Sequence, residues 1–480
     1  MEDGLLVKEV EVKRERLTWG AVGEEMKKLC YLAGPMVAVT LSHFLLQVIS
    51  LTMVGHLGEL SLSSFAIAIS VCGVTGLSFM LGMSCALETL CGQAYGAQQY
   101  QKLGTQTYTA IFCLLIVCIP ISIMWIYLAK ILILIGQDPL ISQEAGKFAM
   151  WLIPTLFGYA TFHPIVRYYQ MQSQIFPLLM SSVISISFHV LVSWVLVYKS
   201  GLESRGGALA MGASIWVNVT ILVLYMYYSS SCAKTRAPIS REIFHGVREF
   251  FRFAIPSAVM ICLEWWSYEV LILSSGLLPN PQLETSVLTV CLNTLITLYS
   301  VPYGLAAAVS TRVSNQLGAG NPEGARISVI SVMLLAVIEN IILNSALYGS
   351  RHVFGYVFSS DKEVVDYVTT MAPFLCLSIS MDSIQGTLAG VQRGSGRQHI
   401  GAYINLAAFY LVGIPIALTL AFVVKLKIRG RGLWIGILSG SFLQSSLLAI
   451  VTICTNWEKE ARNARERLFH KKFSAEDAVM

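Results

Sequence analysis

Charged residues are scarce in this 480-residue sequence. Asp, Glu, Lys and Arg together make up 13% of it, about half the share found in an average soluble domain. So few charges cannot cover a water-solvated surface of ordinary size. The same composition excludes intrinsic disorder, which requires high charge and low hydrophobicity. The net charge of +5 is small for this length, and no dense basic tract indicates nucleic-acid binding.

The common motifs of soluble catalysis are also missing. The sequence contains no GxxxxGK[ST] phosphate-binding loop, no GxSxG and no HExxH. Its 11 cysteines include no CxxC pair and lie mostly in apolar runs, which is typical of free thiols packed as small apolar side chains. His43, His163 and His189 are scattered without metal-ligand spacing. We therefore expect neither an enzyme nor a cofactor nor a metal site.

Apolar runs of membrane-spanning length fill the chain instead. A helix needs roughly 20 apolar residues to cross a bilayer, and the sequence contains 12 such runs, here called spans 1 to 12. The gaps between them are short and carry turn chemistry, as in Gly136-Gln137-Asp138-Pro139 and Pro279-Asn280-Pro281. This pattern predicts an all-α integral membrane protein. The spans fall near residues 30–54, 63–88, 105–128, 145–166, 177–199, 208–230, 250–275, 285–310, 326–349, 365–391, 400–424 and 432–455.

The distribution of basic residues predicts the orientation. With the N-terminus in the cytoplasm, segments on that side hold 23 of the 33 lysines and arginines, as the positive-inside rule requires. An even number of spans places both termini there. One cluster runs against the rule, between spans 11 and 12; its members are Lys425, Lys427, Arg429 and Arg431.

The longest internal connection divides the spans six and six. It carries apolar side chains at helical spacing from Ile239 to Phe251, which predicts a linker with an interfacial helix. We therefore predict five segments in chain order. They are a cytoplasmic tail (1–29), a first lobe with spans 1–6 (30–230), the linker (231–249), a second lobe with spans 7–12 (250–455) and a second cytoplasmic tail (456–480).

The two lobes repeat each other in sequence at an offset near 222 residues. The matching pairs are Pro35 with Pro256, Gln93 with Gln316, Gly96-Ala97 with Gly318-Ala319, and Gln170 with Gln392. Because each lobe has six spans, both insert with the same orientation. The repeat is therefore parallel, with a pseudo-twofold axis along the membrane normal and a central cavity between two six-helix bundles.

Acidic residues inside spans are costly and are therefore candidates for function. Glu264 in span 7 and Asp382 in span 10 lie nearest the middle of their spans, whereas Glu88, Glu269 and Glu339 lie nearer an end or lack polar neighbours. Polar side chains accompany the first two at helical spacing, and span 8 carries a third polar stripe. Together these predict one pocket in the second lobe, lined by Tyr268, Asn293, Thr297, Ser378 and Gln385, with Tyr299 and Trp265 as aromatic contacts for a guest.

The chemistry of such a pocket favours a proton. Burial disfavours the charged form of a carboxylate, and a second carboxylate nearby disfavours it further. The pair can therefore hold a proton on one side of the membrane and release it on the other. Pro35 and Pro256 each interrupt the hydrogen-bond ladder of their span and are candidate bending points.

Three long stretches have a distinctive sequence; they begin at Ala86 (ALETLCGQAYGA), Val301 (VPYGLAAAVSTRVSNQLGAGNP) and Gly401 (GAYINLAAFYLVGIP). They resemble the multidrug and toxic compound extrusion (MATE) family, and its plant branch in particular. The resemblance covers about residues 30 to 455. It implies two six-helix bundles in a V, and it assigns proton coupling to the positions Glu264 and Asp382, with Asn293 nearby. Span 1 contains no Asp or Glu within 30–54, unlike many bacterial members.

The sequence therefore predicts a proton-coupled antiporter that exports organic, often cationic or phenolic, compounds by alternating access. We expect a monomer in the plasma membrane or the vacuolar membrane, with small organic substrates and protons as its partners. A lipid-linked flippase of related architecture is the first alternative, although spans nearly free of Lys and Arg disfavour it. An integral-membrane enzyme or receptor is the second.

Overall fold

The computed structural model describes residues 17–357, 362–423 and 430–476. Across these ranges the regular secondary structure is helical, without strands, and 11 helices are long and apolar enough to cross a membrane. Span 4 is a further 33-residue helix. Spans 1 to 12 are Trp19–Gly55, Glu59–Gly96, Tyr100–Ile126, Pro139–Met171, Phe176–Tyr198, Ser204–Tyr228, Val247–Ser275, Pro281–Gly318, Pro322–Gly349, Lys362–Ser395, Gln398–Val423 and Gly430–Ile453.

Several helices extend beyond the apolar runs that predicted them. Span 1 has 37 residues, where about 20 suffice to cross the bilayer. Its extra turns begin after Thr18, whose hydroxyl accepts a hydrogen bond from the Ala21 amide at 3.2 Å and so caps the helix. The predicted turns do separate helices. At the start of span 4, Asp138 accepts hydrogen bonds from the amides of Leu140 at 2.9 Å and Ile141 at 3.0 Å.

The connection between the lobes differs from its prediction. It contains one helical turn, Glu242–His245, and span 7 already begins at Val247. The apolar side chains that predicted one interfacial helix are therefore shared between two elements. Gly246 lies between them and packs against Thr109 of span 3: a Cβ at Gly246 would lie 3.0 Å from the Thr109 hydroxyl oxygen.

The predicted second tail contains a helix, Trp457–Glu476, here called the C-terminal helix. Ala461, Ala464 and Leu468 are buried on one of its faces. It packs on the face of the bundle where both termini of the described chain lie, here called the terminal face. Lys102 at the start of span 3 approaches the Arg467 carbonyl at 3.5 Å, and the Arg467 guanidinium approaches the Ser395 carbonyl of span 10 at 3.5 Å. The helix therefore touches both lobes.

The interface between the lobes repeats itself about the pseudo-twofold axis. A Cβ at Gly96 of span 2 would lie 2.0 Å from the Asn315 carbonyl oxygen, and a Cβ at Gly318 of span 8 would lie 2.1 Å from the Gln93 carbonyl oxygen. At an offset of 222 residues, Gly96 corresponds to Gly318 and Gln93 to Asn315, the neighbour of its identical match Gln316, so each contact is the image of the other. Gly92 packs against its own mate, Ser314, and the axis therefore passes between spans 2 and 8.

Adding a methyl group at this interface should separate the lobes locally. We expect Gly318→Ala to lower the melting temperature of the purified protein by several degrees, because backbone atoms must move to admit the new Cβ. Gly34→Ala in span 1 is the matched control, since a Cβ there meets nothing within 4 Å. The control should be neutral or slightly stabilising, as alanine favours helix over glycine. Equal melting temperatures for the two variants would contradict this account of the interface.

Candidate functional site

Span 7 brings Glu264 into contact with span 10. The Gln385 amide donates a hydrogen bond to the Glu264 carboxylate at 2.7 Å. Asp382, one turn before Gln385, lies within electrostatic range of Glu264. Asp382 and Gln385 are buried, with 5% and 1% of their surface exposed, whereas Glu264 is partly exposed. The structure thus unites the two predicted carboxylates in one pocket.

A chain of amides continues from Glu264 into spans 12 and 11. The Gln444 side-chain amide donates to the side-chain oxygen of Gln385 (Oε1) at 3.2 Å and to that of Asn405 (Oδ1) at 2.8 Å. Asn405 in turn donates to the Met260 carbonyl of span 7 at 2.7 Å. This ring of contacts links four spans of the second lobe and fixes the orientation of the Gln385 amide toward Glu264. The sequence analysis did not identify Gln444 or Asn405.

Tyrosine side chains surround Asp382. The Tyr268 hydroxyl group interacts with Asp382 and with Ser441 of span 12. Tyr299 of span 8 lies within electrostatic range of both carboxylates and packs against Gly386, where a Cβ would lie 3.3 Å from the Tyr299 hydroxyl oxygen. Tyr268 and Tyr299 therefore both lie beside the carboxylate pair.

The remaining predicted pocket residues have more varied positions. Ser378 accepts a hydrogen bond from the Trp434 indole at 2.9 Å. Thr297 donates to the Asn293 carbonyl of its own helix at 2.8 Å, and the hydrogen bonds described for Glu264 do not include the Asn293 side chain. Trp265 is 48% exposed. It follows Glu264 in the chain and lies about 100° further around the helix, so it does not share the helix face of the carboxylate.

The three other acids judged less favourable all have polar partners. Ser70 of span 2 donates to Glu269 at 3.1 Å, across the interface between the lobes. Glu339 of span 9 accepts a short hydrogen bond from Ser383. These partners come from other helices, so helical spacing within one span could not reveal them.

Glu88 has the strongest partners of all. Its carboxylate lies 3.0 Å from the Arg167 guanidinium of span 4 and 2.8 Å from the Arg393 guanidinium of span 10. Arg167 also donates to the Tyr303 hydroxyl of span 8 at 2.9 Å. Glu88, Arg167 and Arg393, here called the ion triad, are buried and lie near the terminal face. Because Arg393 and Tyr303 belong to the second lobe, the triad joins the two lobes.

The first lobe has no carboxylate pocket at the equivalent positions. The repeat relates Glu264, Asp382 and Asn293 to Ser42, Ala160 and Val71. Ser42 donates to the Ala38 carbonyl of its own helix at 2.7 Å. Pro35 and Pro256 lie within the helices Trp19–Gly55 and Val247–Ser275, which continue through both positions. Among the described residues no group of His, Cys, Asp and Glu has the arrangement of a metal site.

Known proteins match this chain over nearly its full length. The MatE family model matches residues 35–195 and 256–419, once in each lobe. Protein DETOXIFICATION 14 of Arabidopsis thaliana is 59% identical over 454 residues, covering 95% of this chain and 93% of the relative. Protein DETOXIFICATION 12 of the same plant is 57% identical, covering 95% of each.

Solved structures agree with the fold. The crystal structure of the eukaryotic MATE transporter AtDTX14 has a TM-score of 0.90 at 60% identity, covering 93% of this chain and 99% of that chain. An outward-facing multidrug resistance MATE transporter shares the fold at 15% identity, with a TM-score of 0.79 and coverage of 94% and 100%. These proteins are transporters and not enzymes, and their twelve helices form two bundles. The chain is a multi-pass membrane protein and belongs to the MATE family of transporters.

Proposed function

We propose that this transporter is a proton-coupled antiporter whose coupling groups are Glu264 and Asp382. The observation that carries the proposal is their placement in one pocket of the second lobe, with Gln385 at 2.7 Å from Glu264 and Tyr268 beside Asp382. Each proton bound there removes one buried negative charge, which burial and the neighbouring carboxylate both disfavour. The first lobe offers no carboxylate at the equivalent positions.

Proton binding rearranges the pocket through its hydrogen bonds. An ionised Glu264 only accepts, whereas a protonated Glu264 can also donate. The Gln385 amide can then rotate so that its oxygen accepts the new hydrogen bond. The hydrogen bonds through Gln444 and Asn405 transmit that change to spans 11 and 12. Pro256 lies two turns before Glu264 on span 7 and lacks one ladder bond, which makes it the place where bending costs least. A bent span 7 narrows the pocket and expels the guest.

The substrates that suit this site are organic compounds with a cationic or phenolic group. Carboxylates attract a cation, and the tyrosines around Asp382 offer aromatic faces and hydroxyl groups. Competition between guest and proton for the same carboxylates couples their movements, and the coupling is reciprocal. We further propose a monomer with both termini in the cytoplasm, in the plasma membrane or the vacuolar membrane, because the basic residues favour that orientation.

Transport in proteoliposomes tests the proposal. With an imposed pH gradient, we expect a cationic dye to accumulate on the side of higher proton concentration, and collapse of the gradient with a protonophore should stop accumulation. Empty liposomes are the control. Accumulation that ignores the gradient would refute proton coupling. Translocation of a lipid-linked substrate without dye transport would instead support a flippase.

A further inference from the structure

Histidine and aromatic side chains form a cluster in the first lobe. The His43 ring of span 1 lies 4.7 Å from the Phe162 ring of span 4. The His163 ring stacks on Tyr159 at 5.1 Å, with 24° between the ring planes. His163 is also 5.5 Å from Phe162. These four residues, His43, Tyr159, Phe162 and His163, are here called the imidazole cluster, and sequence spacing did not reveal that both histidines pack against Phe162.

Both ring nitrogens of His43 are buried and make no hydrogen bond within the described part of the chain. His189 shows the contrast: its ring nitrogens contact the hydroxyl groups of Ser50 at 3.0 Å and Ser214 at 2.9 Å. A buried polar group without a partner is destabilising, so His43 is suited to a partner that comes from outside the protein. A neutral imidazole has one donor and one acceptor nitrogen, which matches a hydroxyl group.

The cluster continues toward the interface between the lobes. Tyr159, His163 and Arg167 are spaced four residues apart and therefore share one face of span 4. At Arg167 that face touches the second lobe, through the hydrogen bond to Tyr303. Tyr303 in turn lies 6.4 Å from the Tyr299 ring, which borders the carboxylate pocket. A row of neighbouring side chains, Tyr299, Tyr303, Arg167 and His163, thus connects the carboxylate pocket to the imidazole cluster.

The charges near the imidazole cluster determine which part of a guest can bind there. The ion triad holds one carboxylate and two guanidinium groups, and therefore carries one excess positive charge. His163 lies within electrostatic range of Arg167 and of His43. A cationic group is disfavoured there, whereas an uncharged phenol is not. The opposite end of the same guest meets the carboxylates of the second lobe.

We propose that the imidazole cluster binds the phenolic end of a planar aromatic guest, with His43 hydrogen-bonded to the guest's hydroxyl group. The proposal rests on the transport function proposed above and adds a specificity-determining residue to it. The partly exposed His163 ring supplies the contact for the guest ring, supported from behind by the buried Phe162 and Tyr159 rings. His43 distinguishes a hydroxyl group from an ether. The imidazole cluster lies in the lobe without coupling carboxylates, so it selects guests without carrying protons.

Binding of 2-naphthol and of its methyl ether tests the proposal, because the two probes differ only at the hydroxyl group. Full-length protein in lipid nanodiscs is titrated with each probe, and empty nanodiscs give the background. We expect His43→Phe to weaken 2-naphthol binding about tenfold, the effect of one lost hydrogen bond. The same variant should leave the ether within about twofold, because the ring contacts remain. His43→Gln, which keeps a donor and an acceptor, should preserve most of the preference.

His56→Phe is the matched control, since His56 is an exposed histidine at the end of the same helix. It should change neither affinity. Equal losses of affinity for both probes would show that His43 has a packing role only. Unchanged affinities would show that the guest makes no hydrogen bond to His43. Either result overturns the proposal, and so does a wild type that binds both probes equally. The titration uses no gradient, so failure of proton coupling and failure of this site are separate results.

Discussion

Replacing Glu264 with glutamine or Asp382 with asparagine is expected to abolish pH-driven transport. The initial rate should fall about a hundredfold or more, which is the effect of losing one positioned proton carrier. Each substitution keeps the shape of the side chain but removes its ability to bind and release a proton. The Gln385 amide, at 2.7 Å from Glu264, can still hydrogen-bond to the amide that replaces the carboxylate. Protein yield and melting temperature should therefore stay close to wild type. The rate is measured in proteoliposomes with an imposed pH gradient.

Ser42→Ala provides the matched control for Glu264. Ser42 is its mate in the repeat, and its hydroxyl group donates to the Ala38 carbonyl of the same helix. Coupling should be unchanged in this variant. A loss equal to that of Glu264→Gln would place proton coupling in both lobes, and transport that survives in both acid variants would remove the carboxylates from the mechanism.

Guest affinity at two pH values separates competition from other forms of coupling. In the wild type, affinity for a cationic guest should fall as the pH is lowered, because protons then occupy the carboxylates that the guest needs. In Glu264→Gln that dependence should weaken. A wild-type affinity that ignores pH would exclude competition for one pocket. Equal pH dependence in both proteins would mean that a different acid binds the proton.

The sequence was sufficient to predict the fold and the carboxylate pair because the signals involved are local. Twelve apolar runs and a parallel repeat near offset 222 are visible along the chain, and the family match to residues 35–195 and 256–419 follows the same division. Glu264 and Tyr268, or Asp382 and Gln385, are three or four residues apart on one helix. Such neighbours share a face whatever the tertiary structure is.

Partners from distant spans were not predictable in this way. Gln444 and Asn405 are 39 residues apart and meet across two helices, so no periodicity within one span relates them. Glu88 and Arg393 are separated by 305 residues. In the sequence, Arg393 contributed only to the count of basic residues that predicts the orientation. Only the packing of spans 2, 4 and 10 shows that Arg167 and Arg393 serve the same carboxylate.

The ion triad leads to the second large expected effect, a loss of stability in Glu88→Gln. The substitution removes the only carboxylate that the described part of the chain places against Arg167 and Arg393, at 3.0 and 2.8 Å. Two guanidinium groups then face each other in a buried site without a counter-charge. Removing one partner of a buried ion pair costs about 3–5 kcal/mol. We expect a sharp drop in the yield of monodisperse protein and a melting temperature lowered by several degrees.

Glu144→Gln is the matched control. It breaks an ion pair in which the Lys147 ammonium lies 2.6 Å from the Glu144 carboxylate. The side chains of Lys147 and Glu144 are 42% and 28% exposed. Exposed pairs contribute about 0–1 kcal/mol, because water and salt screen them. The same chemical change should therefore be nearly silent there. Equal stability of the two variants would mean that Glu88 does not neutralise the arginines.

A double variant identifies charge as the cause of the instability. Adding Arg393→Gln to Glu88→Gln removes one of the two unpaired cations, so the double variant should be more stable than the sum of the single losses predicts. Arg167 then remains with Tyr303 and Gln170 as partners, at 2.9 and 2.5 Å. Additive losses would instead indicate that packing alone is disturbed. Arg393 lies in the other lobe from Glu88, so the alternating access proposed above would separate this pair whenever the terminal face opens, and the carboxylate would stay with Arg167 in the first lobe. On that mechanism the triad stabilises the conformer in which the lobes meet at the terminal face, and Glu88→Gln should lower the population of that conformer.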